Sequence, residues 1–238
     1  MPERIDIVVP ETVLADNDAK AERIRGTHAF EATDRVPAIA DIQQMTALGA
    51  RGCPFGQYVR GPRDNLREQI LNRKWRIENV RDDQPIDTER IALTPDLGCL
   101  RGVEFEMDVR WQRDQPPKCV HPLTRPEEID ELEVPDPAGG LNGRRIAWYE
   151  AMRDMADDFD VRLNGRRLEL EVTLSHGGGP VPSAFALAGA NLMMWTALEP
   201  ARTHRLMRIA TDSHLNCIRH IDGLVRRDGD HAVWLGAD

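Results

Sequence analysis

The sequence predicts an α/β protein in which parallel strands alternate with helices, and three observations carry that expectation. First, two stretches have strand character. Val103, Phe105, Met107, Val109 and Trp111 alternate with Glu104, Glu106, Asp108 and Arg110, and residues 168–174 read LeuGluLeuGluValThrLeu. A period of two over such a run marks a half-exposed strand. Second, long helical stretches separate the strand candidates, which implies parallel βα units because a parallel connection needs a crossover. Third, residues 168–174 run straight into SerHisGlyGlyGlyPro (175–180) and then a helix. A strand–turn–helix junction of this kind lies on the C-terminal face of a parallel sheet, where α/β proteins place their sites.

Taken in order, residues 1–15 read as an irregular lead-in, and a helix is expected from Asn17 to Phe30. ArgValProAlaIleAla (35–40), bounded by Asp34 and Asp41, reads as a short buried strand. Residues 50–62 are rich in glycine and proline and read as loop. Pro62 can open a helix over 62–80, with Leu66, Ile70, Trp75 and Ile77 as its apolar positions. Ile91–Leu93 is a weaker strand candidate. Residues 114–140, with six prolines and many acids, form a surface excursion holding one short helix at 126–132. Helices are expected from Leu141 to about Phe159 and from about Ser183 to Leu198. Pro200 opens a long helix to about Arg226, with Leu206, Ala210, Cys217, Ile221 and Leu224 on one stripe. Residues 231–238 read as a buried strand.

The chain has 238 residues, of which 41% are hydrophobic and 30% charged, too apolar a mixture for a disordered protein. A barrel of eight βα units takes about 250 residues, or about 30 per unit. Here long excursions leave about five strand candidates, and the chain halts on a strand. An inner parallel strand needs pairing on both edges. The expectation is therefore a single domain over 1–238, a TIM-like (β/α)8 barrel apparently incomplete at its C-terminus.

A net charge of −9 and a pI near 5.3 argue against general nucleic-acid binding, which needs a basic face. No run approaches the ~20 apolar residues of a membrane span, and the acid-bearing start is unlike a signal peptide. Cys53, Cys99, Cys119 and Cys217 form no CxxC pair. A reduced, cytoplasmic protein is expected.

The most informative stretch for chemistry is 168–183. Gly177, Gly178 and Gly179 would let a substrate approach the backbone, their N–H groups could hold an anion, and His176 would exchange a proton at the rim. The competing reading is a turn whose glycines serve only to reach positive φ. Asp96, in ThrProAspLeuGlyCys (94–99), follows a strand candidate and could act as acid, base or cation stabiliser; otherwise it is a turn or cap residue. Asp238 would close the last strand at the same rim. His214, Cys217 and His220 suggest zinc, but their spacing drifts around the helix and Cys217 falls on the apolar stripe, so core packing is expected. Cys119 and His121 lack a second half for a tetrahedral site. There is no GxSxG and no HExxH.

Several stretches together resemble the uroporphyrinogen decarboxylase superfamily, which includes corrinoid and coenzyme M methyltransferases. AlaThrAspArgValProAlaIleAla (32–40) resembles its opening strand, and residues 121–137 resemble its linker. Residues 177–189 are similar to its Gly-x-Pro loop and following helix. GluProAlaArgThrHisArgLeuMet (199–207) resembles a later helix start, and residues 229–238 a strand ending in Asp. The resemblance implies a barrel with a deep pocket at its C-terminal face. It also implies either decarboxylation of a tetrapyrrole's acetate arms or methyl transfer through a corrinoid (cobalamin). By position Asp96 matches the carboxylate that stabilises a protonated pyrrole. Of the decarboxylases' Arg-rich stretch only Arg51 stands nearby, as an anion holder, and the decarboxylases' Tyr falls near Phe185–Ala186. The family's zinc ligands, His-x-Cys and a later Cys, lie beyond residue 238.

The leading expectation is a methyltransferase-like enzyme acting on a small-molecule substrate with a corrinoid protein as partner. Asp96 and His176 would be its polar pocket residues, and Arg51, Gly177–Gly179 and Asp238 would bind substrate. The alternatives are a uroporphyrinogen decarboxylase (a lyase of porphyrin biosynthesis) and a non-catalytic barrel fragment. Such a fragment would be a homo-oligomer or would be completed by a partner chain.

Overall fold

A computed structural model describes residues 1–98, 104–110, 112, 115, 117–174, 178–225, 227–228 and 231–232. It is an α/β protein. The elements run β1 (Glu3–Ile7), α1 (Glu11–Ala15), α2 (Asn17–His28), α3 (Gln44–Ala50), α4 (Phe55–Tyr58), α5 (Pro62–Asn79), β2 (Arg90–Leu93), β3 (Val109–Arg110) and β4 (Lys118–Cys119). A 3₁₀ turn at Pro126–Glu131 precedes α6 (Gly140–Asp154), β5 (Phe159–Leu163), β6 (Arg166–Arg167) and β7 (Glu169–Val172). Then come α7 (Pro180–Ala188), α8 (Asn191–Leu198), α9 (Pro200–Asp222), β8 (Arg227–Asp228) and β9 (His231–Ala232).

Among the described residues the strands form four small sheets: β1–β5–β6, β2–β7, β3–β4 and β8–β9. Two pairings are parallel, β1 with β5 and β2 with β7. Among the described residues no closed barrel forms. One apolar core joins both parallel pairs to α5 through Ile5, Ile7, Leu66, Ile70, Leu93 and Val161. A second, built on Leu187, Trp195, Leu206 and Ala210, packs α7, α8 and α9.

Several expectations need correction. The lead-in holds β1, whose Ile5 and Ile7 are buried while Arg4 and Asp6 face outward. Its partner β5 begins at Phe159, where the helix from Leu141 was expected to end, in a stretch for which no strand was expected. The helix stops at Asp154, and Phe159, Val161 and Leu163 alternate inward. An Asn164–Gly165 turn then returns the chain into β6, with both residues at positive φ. The Asn164 side chain seals the end of β1, accepting from Val9 N at 3.0 Å and donating to Val9 O at 2.9 Å.

Residues 35–40 are not a strand: Val36 and Ile39 are exposed. Carboxylates, not a neighbouring strand, satisfy their backbone. Ala38 N donates to Asp83 and Ala40 N to Asp82, while Asp83 N donates to Ala38 O. Asp83 also takes Arg23 Nη1 at 2.8 Å and a forked pair of donors from Arg35. The Arg35 hydrogen bond first, and the Ala38 N–H next, hold the Asp83 carboxyl far below the usual carboxylate range. A folded pKa below the unfolded value of about 4 means the clamp stabilises above that pH and weakens as pH falls below it. The Ala38 amide should therefore lose protection from hydrogen exchange in acid. In Asp83→Asn it should lose protection already at pH 7; equal protection in both proteins would refute the clamp.

The expected helix from Ser183 to Leu198 is broken, with α7 and α8 bent by 100°. Gly189 sits between them at φ +58, and a Cβ there would lie 2.7 Å from the His121 ring. Gly189→Ala should cost about 1–2 kcal/mol from backbone strain alone, read as a lower midpoint in urea unfolding.

Residues 103–111 do not form one strand. Only Val109–Arg110 pair, antiparallel to Lys118–Cys119, and residues 103 and 111 lie outside the described set. The alternation predicted an outward Glu104; instead both Glu104 and Phe105 are buried. Ser213 Oγ on α9 donates to Glu104 Oε1 at 2.7 Å. At the other end, His231–Ala232 pair antiparallel with Arg227–Asp228, in a sheet separate from β7, rather than as an inner parallel strand. Residues 233–238 lie outside the described set.

Candidate functional site

β2 and β7 pair in the register Arg90↔Glu169 through Leu93↔Val172, and Thr173 N donates to Leu93 O at 2.8 Å. The chain segments leaving both strands therefore start side by side at one C-terminal edge. Residues paired across the ladder share a face. Ile91, Leu93, Leu170 and Val172 turn to the main core. Arg90, Ala92 and Glu171 take the other face, where Arg90 Nη1 stands 3.3 Å from Glu171 Oε2. The alternation continues onto Thr94 and Thr173, whose buried hydroxyls have no hydrogen-bond partner among the described residues. A polar face on a parallel strand pair is unusual, because such strands are normally apolar on both sides.

Asp96 follows on from Thr94 and is held from three directions. The Tyr58 hydroxyl donates to Asp96 Oδ2 at 2.8 Å, and Gly98 N donates to Oδ1 at 2.6 Å. On α5, Asn65 donates to Asp96 O and accepts from Asp96 N. Gln69, one turn further, donates to Thr94 O and accepts from Thr94 N. From α6, the buried Arg145 directs Nε toward Pro95 O at 3.4 Å. Burial first, then the Asp96 charge, pushes the Tyr58 hydroxyl well above its ordinary pKa. Tyr58 therefore stays protonated near neutral pH and orients the carboxylate as a fixed donor. A carboxylate oxygen can accept more than one hydrogen bond, so Asp96 retains acceptor capacity for a ligand.

Arg51 is placed differently from the anion holder the sequence suggests. It is ion-paired with the buried Glu68 and donates to Glu68 O and Asn72 Oδ1. Gln57 and Arg67 also reach Glu68. This network fastens the loop around α4 onto α5. Gly178 has φ +94, and Gly179 leads into α7, where a Cβ would meet open space. His176 and Gly177 lie outside the described residues, as does Asp238. Thr173, just past the end of β7, is hydrogen-bonded to Leu93 at the end of β2, three residues before Asp96.

Cys217 is fully buried, and Asn142 Nδ2 lies 3.9 Å from its sulfur. Burial first, and Glu104 next, push its thiol up to about 12, so it packs as a neutral core residue. Among the described residues no three His, Cys, Asp or Glu side chains converge on a metal-sized site.

Sequence reasoning missed Tyr58, Asn65, Gln69, Arg73 and Arg145. One signal was present: Asn65, Gln69, Asn72, Arg73 and Arg76 recur at i, i+4, i+7, i+8 and i+11 on α5, a polar stripe whose first three members are buried. Arg63, Arg67 and Arg76 on this helix each pair with carboxylates, on Asp158, on Glu3 and Glu68, and on Asp82. Arg73 makes no hydrogen bond or ion pair with a described residue, and it is exposed. Surrounding protein first, and the Arg76 cation next, lower its pKa.

The chain matches no family model, and no curated protein matches it. Among the described residues no single helix is long and apolar enough to cross a membrane.

Proposed function

We propose that the chain is a methyltransferase-like enzyme of the uroporphyrinogen decarboxylase type, with its site at the C-terminal edge of β2 and β7. The observation that supports this reading is the parallel register that sets the C-terminal ends of β2 and β7 side by side, at Leu93 and Thr173. Sites of α/β proteins form at that edge. The fold would be part of a (β/α)8 barrel. Both outer edges of the β2–β7 pair carry no strand among the described residues, which leaves room for further strands or a partner chain.

In this reading a small methyl donor binds over the polar face. Asp96, oriented by Tyr58 and Gly98 N, accepts a proton or stabilises positive charge on the substrate, and His176 donates or accepts a proton. A corrinoid, supplied by a partner protein, is the co-substrate that takes or gives the methyl group. Incubation of the full chain with cob(I)alamin and a panel of methylamines and methoxylated aromatics should yield methylcobalamin. Absence of transfer together with absence of any ligand-induced thermal shift would overturn the reading.

The anchored Asp96 carboxylate also favours a second reading, decarboxylation of a porphyrinogen. Formation of coproporphyrinogen from uroporphyrinogen, without methyl transfer, would select it.

A further inference from the structure

We propose that the cavity between α2 and the 35–40 and 81–83 segments binds a small organic phosphate, with Lys20 as its counter-ion and Ile39 against its apolar body. The site is separate from the one proposed above and does not depend on it. Arg76, which holds the cavity-lining Asp82, stands about 16 Å along α5 from Asn65, which holds Asp96.

The cavity measures about 670 Å3, within the range of about 300–1,000 Å3 of small-molecule sites. Lys20, Arg23, Arg35 and Arg81 line it, against the carboxylates of Asp16, Asp82 and Asp83. This is a local cationic excess on a chain of net charge −9. Two of the three acids are already occupied. Asp83 is buried, and both its oxygens are taken: Oδ1 by Arg23 and Arg35, Oδ2 by Arg35 and Ala38 N. Asp82 accepts from Ala40 N, Arg76 and Gln84 N. Asp16 is exposed to water. Lys20 is half-buried, and its ammonium makes no hydrogen bond or ion pair with a described residue, not even with Asp16 one turn back on α2.

The fork of Arg35 is spent on Asp83, so no planar two-oxygen match is left there for a carboxylate. What remains are single donors from different residues. They are the Lys20 ammonium and the Nε groups of Arg35 and Arg81, which bond no described residue. A phosphate ester has three terminal oxygens that can take such donors one each, and an ammonium serves it as a point charge. Val13, Ala19 and Ile39 supply an apolar wall, with Ile39 exposed. Bare phosphate leaves that wall wet, whereas an organic ester covers it.

The test is calorimetric titration of the full chain with phenyl phosphate, inorganic phosphate, benzoate and phenol. Phenyl phosphate should bind saturably and more tightly than the other three. Lys20→Gln should weaken it about tenfold, the lower range for a lost hydrogen bond to a charged group. Lys20→Arg should retain most of the affinity. Both variants should unfold at the wild-type midpoint, since the Lys20 ammonium has no internal partner. Amide shifts on titration should concentrate at Ile39 and Ala40 and leave Gly98 unmoved. The proposal is overturned if phenyl phosphate fails to bind, if Lys20→Gln binds it as tightly, or if any of the other three probes binds equally well. Shifts at Gly98 in place of Ile39 and Ala40 would also overturn it. Phosphate binding without methyl transfer would keep this site and remove the function proposed above; methyl transfer without phosphate binding would do the reverse.

Discussion

Glu68→Ala should destabilise the protein by about 3 kcal/mol, the low end for breaking a buried ion pair by deleting one partner. The Glu68 side chain is 2% exposed and that of Arg51 16%, so removal strands a cation with little access to water. Gln57 also loses its acceptor. For a chain of this length the loss corresponds to about 6–12 °C in Tm. The double variant Arg51→Met/Glu68→Leu should recover most of it, because neither charge is then left alone. Arg67 keeps Glu3 in both variants. A single substitution as mild as an exposed ion pair, below about 1 kcal/mol, would show that the loop near α4 is not fastened by this network.

Asp96→Asn should lower the kcat of methyl transfer by about 100-fold, the lower range for loss of a positioned acid or base, with little change in stability. Asparagine keeps an oxygen for either Gly98 N or the Tyr58 hydroxyl, and the Asn65 bonds go to the Asp96 backbone. Tyr58→Phe removes only the orienting donor and should cost about tenfold, the worth of one hydrogen bond to a charged group. Equal kcat in Asp96→Asn and wild type, with thermal unfolding also unchanged, would reduce Asp96 to a turn residue.

The helices α5 and α9 and the strands β2 and β7 were legible because their own residues carry the period that burial later uses, whereas α2 buries only Gly26. On α9, Leu206, Ala210, Cys217 and Ile221 are all buried, as the stripe implies. β1 and β5 were hidden for different reasons. Ile5, Ile7 and Val9 alternate cleanly, but Val8 breaks the polar side of the pattern, and β5 follows its helix with only a 3₁₀ turn between. The Asn164–Gly165 pair that ends β5 is a strong hairpin signal that went unused. Residues 35–40 misled because an apolar run looks like a buried strand when its backbone partners are distant carboxylates, here Asp82 and Asp83.

The site was legible only in part. Asp96 is visible as the acid after a strand. Tyr58 and Asn65 hold it from 38 and 31 residues away, Gln69 meets the neighbouring Thr94 at a separation of 25, and Arg145 meets Pro95 at 50. Only the packed fold reveals such distances. Arg51 looked available because its partner Glu68 lies 17 residues on, inside a helix being read for apolar positions.

The parallel, in-register meeting of β2 and β7 supports everything said of the site. It can be measured as scalar coupling through the hydrogen bond from the Thr173 amide nitrogen to the Leu93 carbonyl carbon, on uniformly labelled protein. The account predicts this coupling, together with close contacts between Leu93 and Val172. A Thr173 amide coupled to some other carbonyl, or antiparallel contacts between the two strands, would separate Asp96 from the glycine segment and contradict the account.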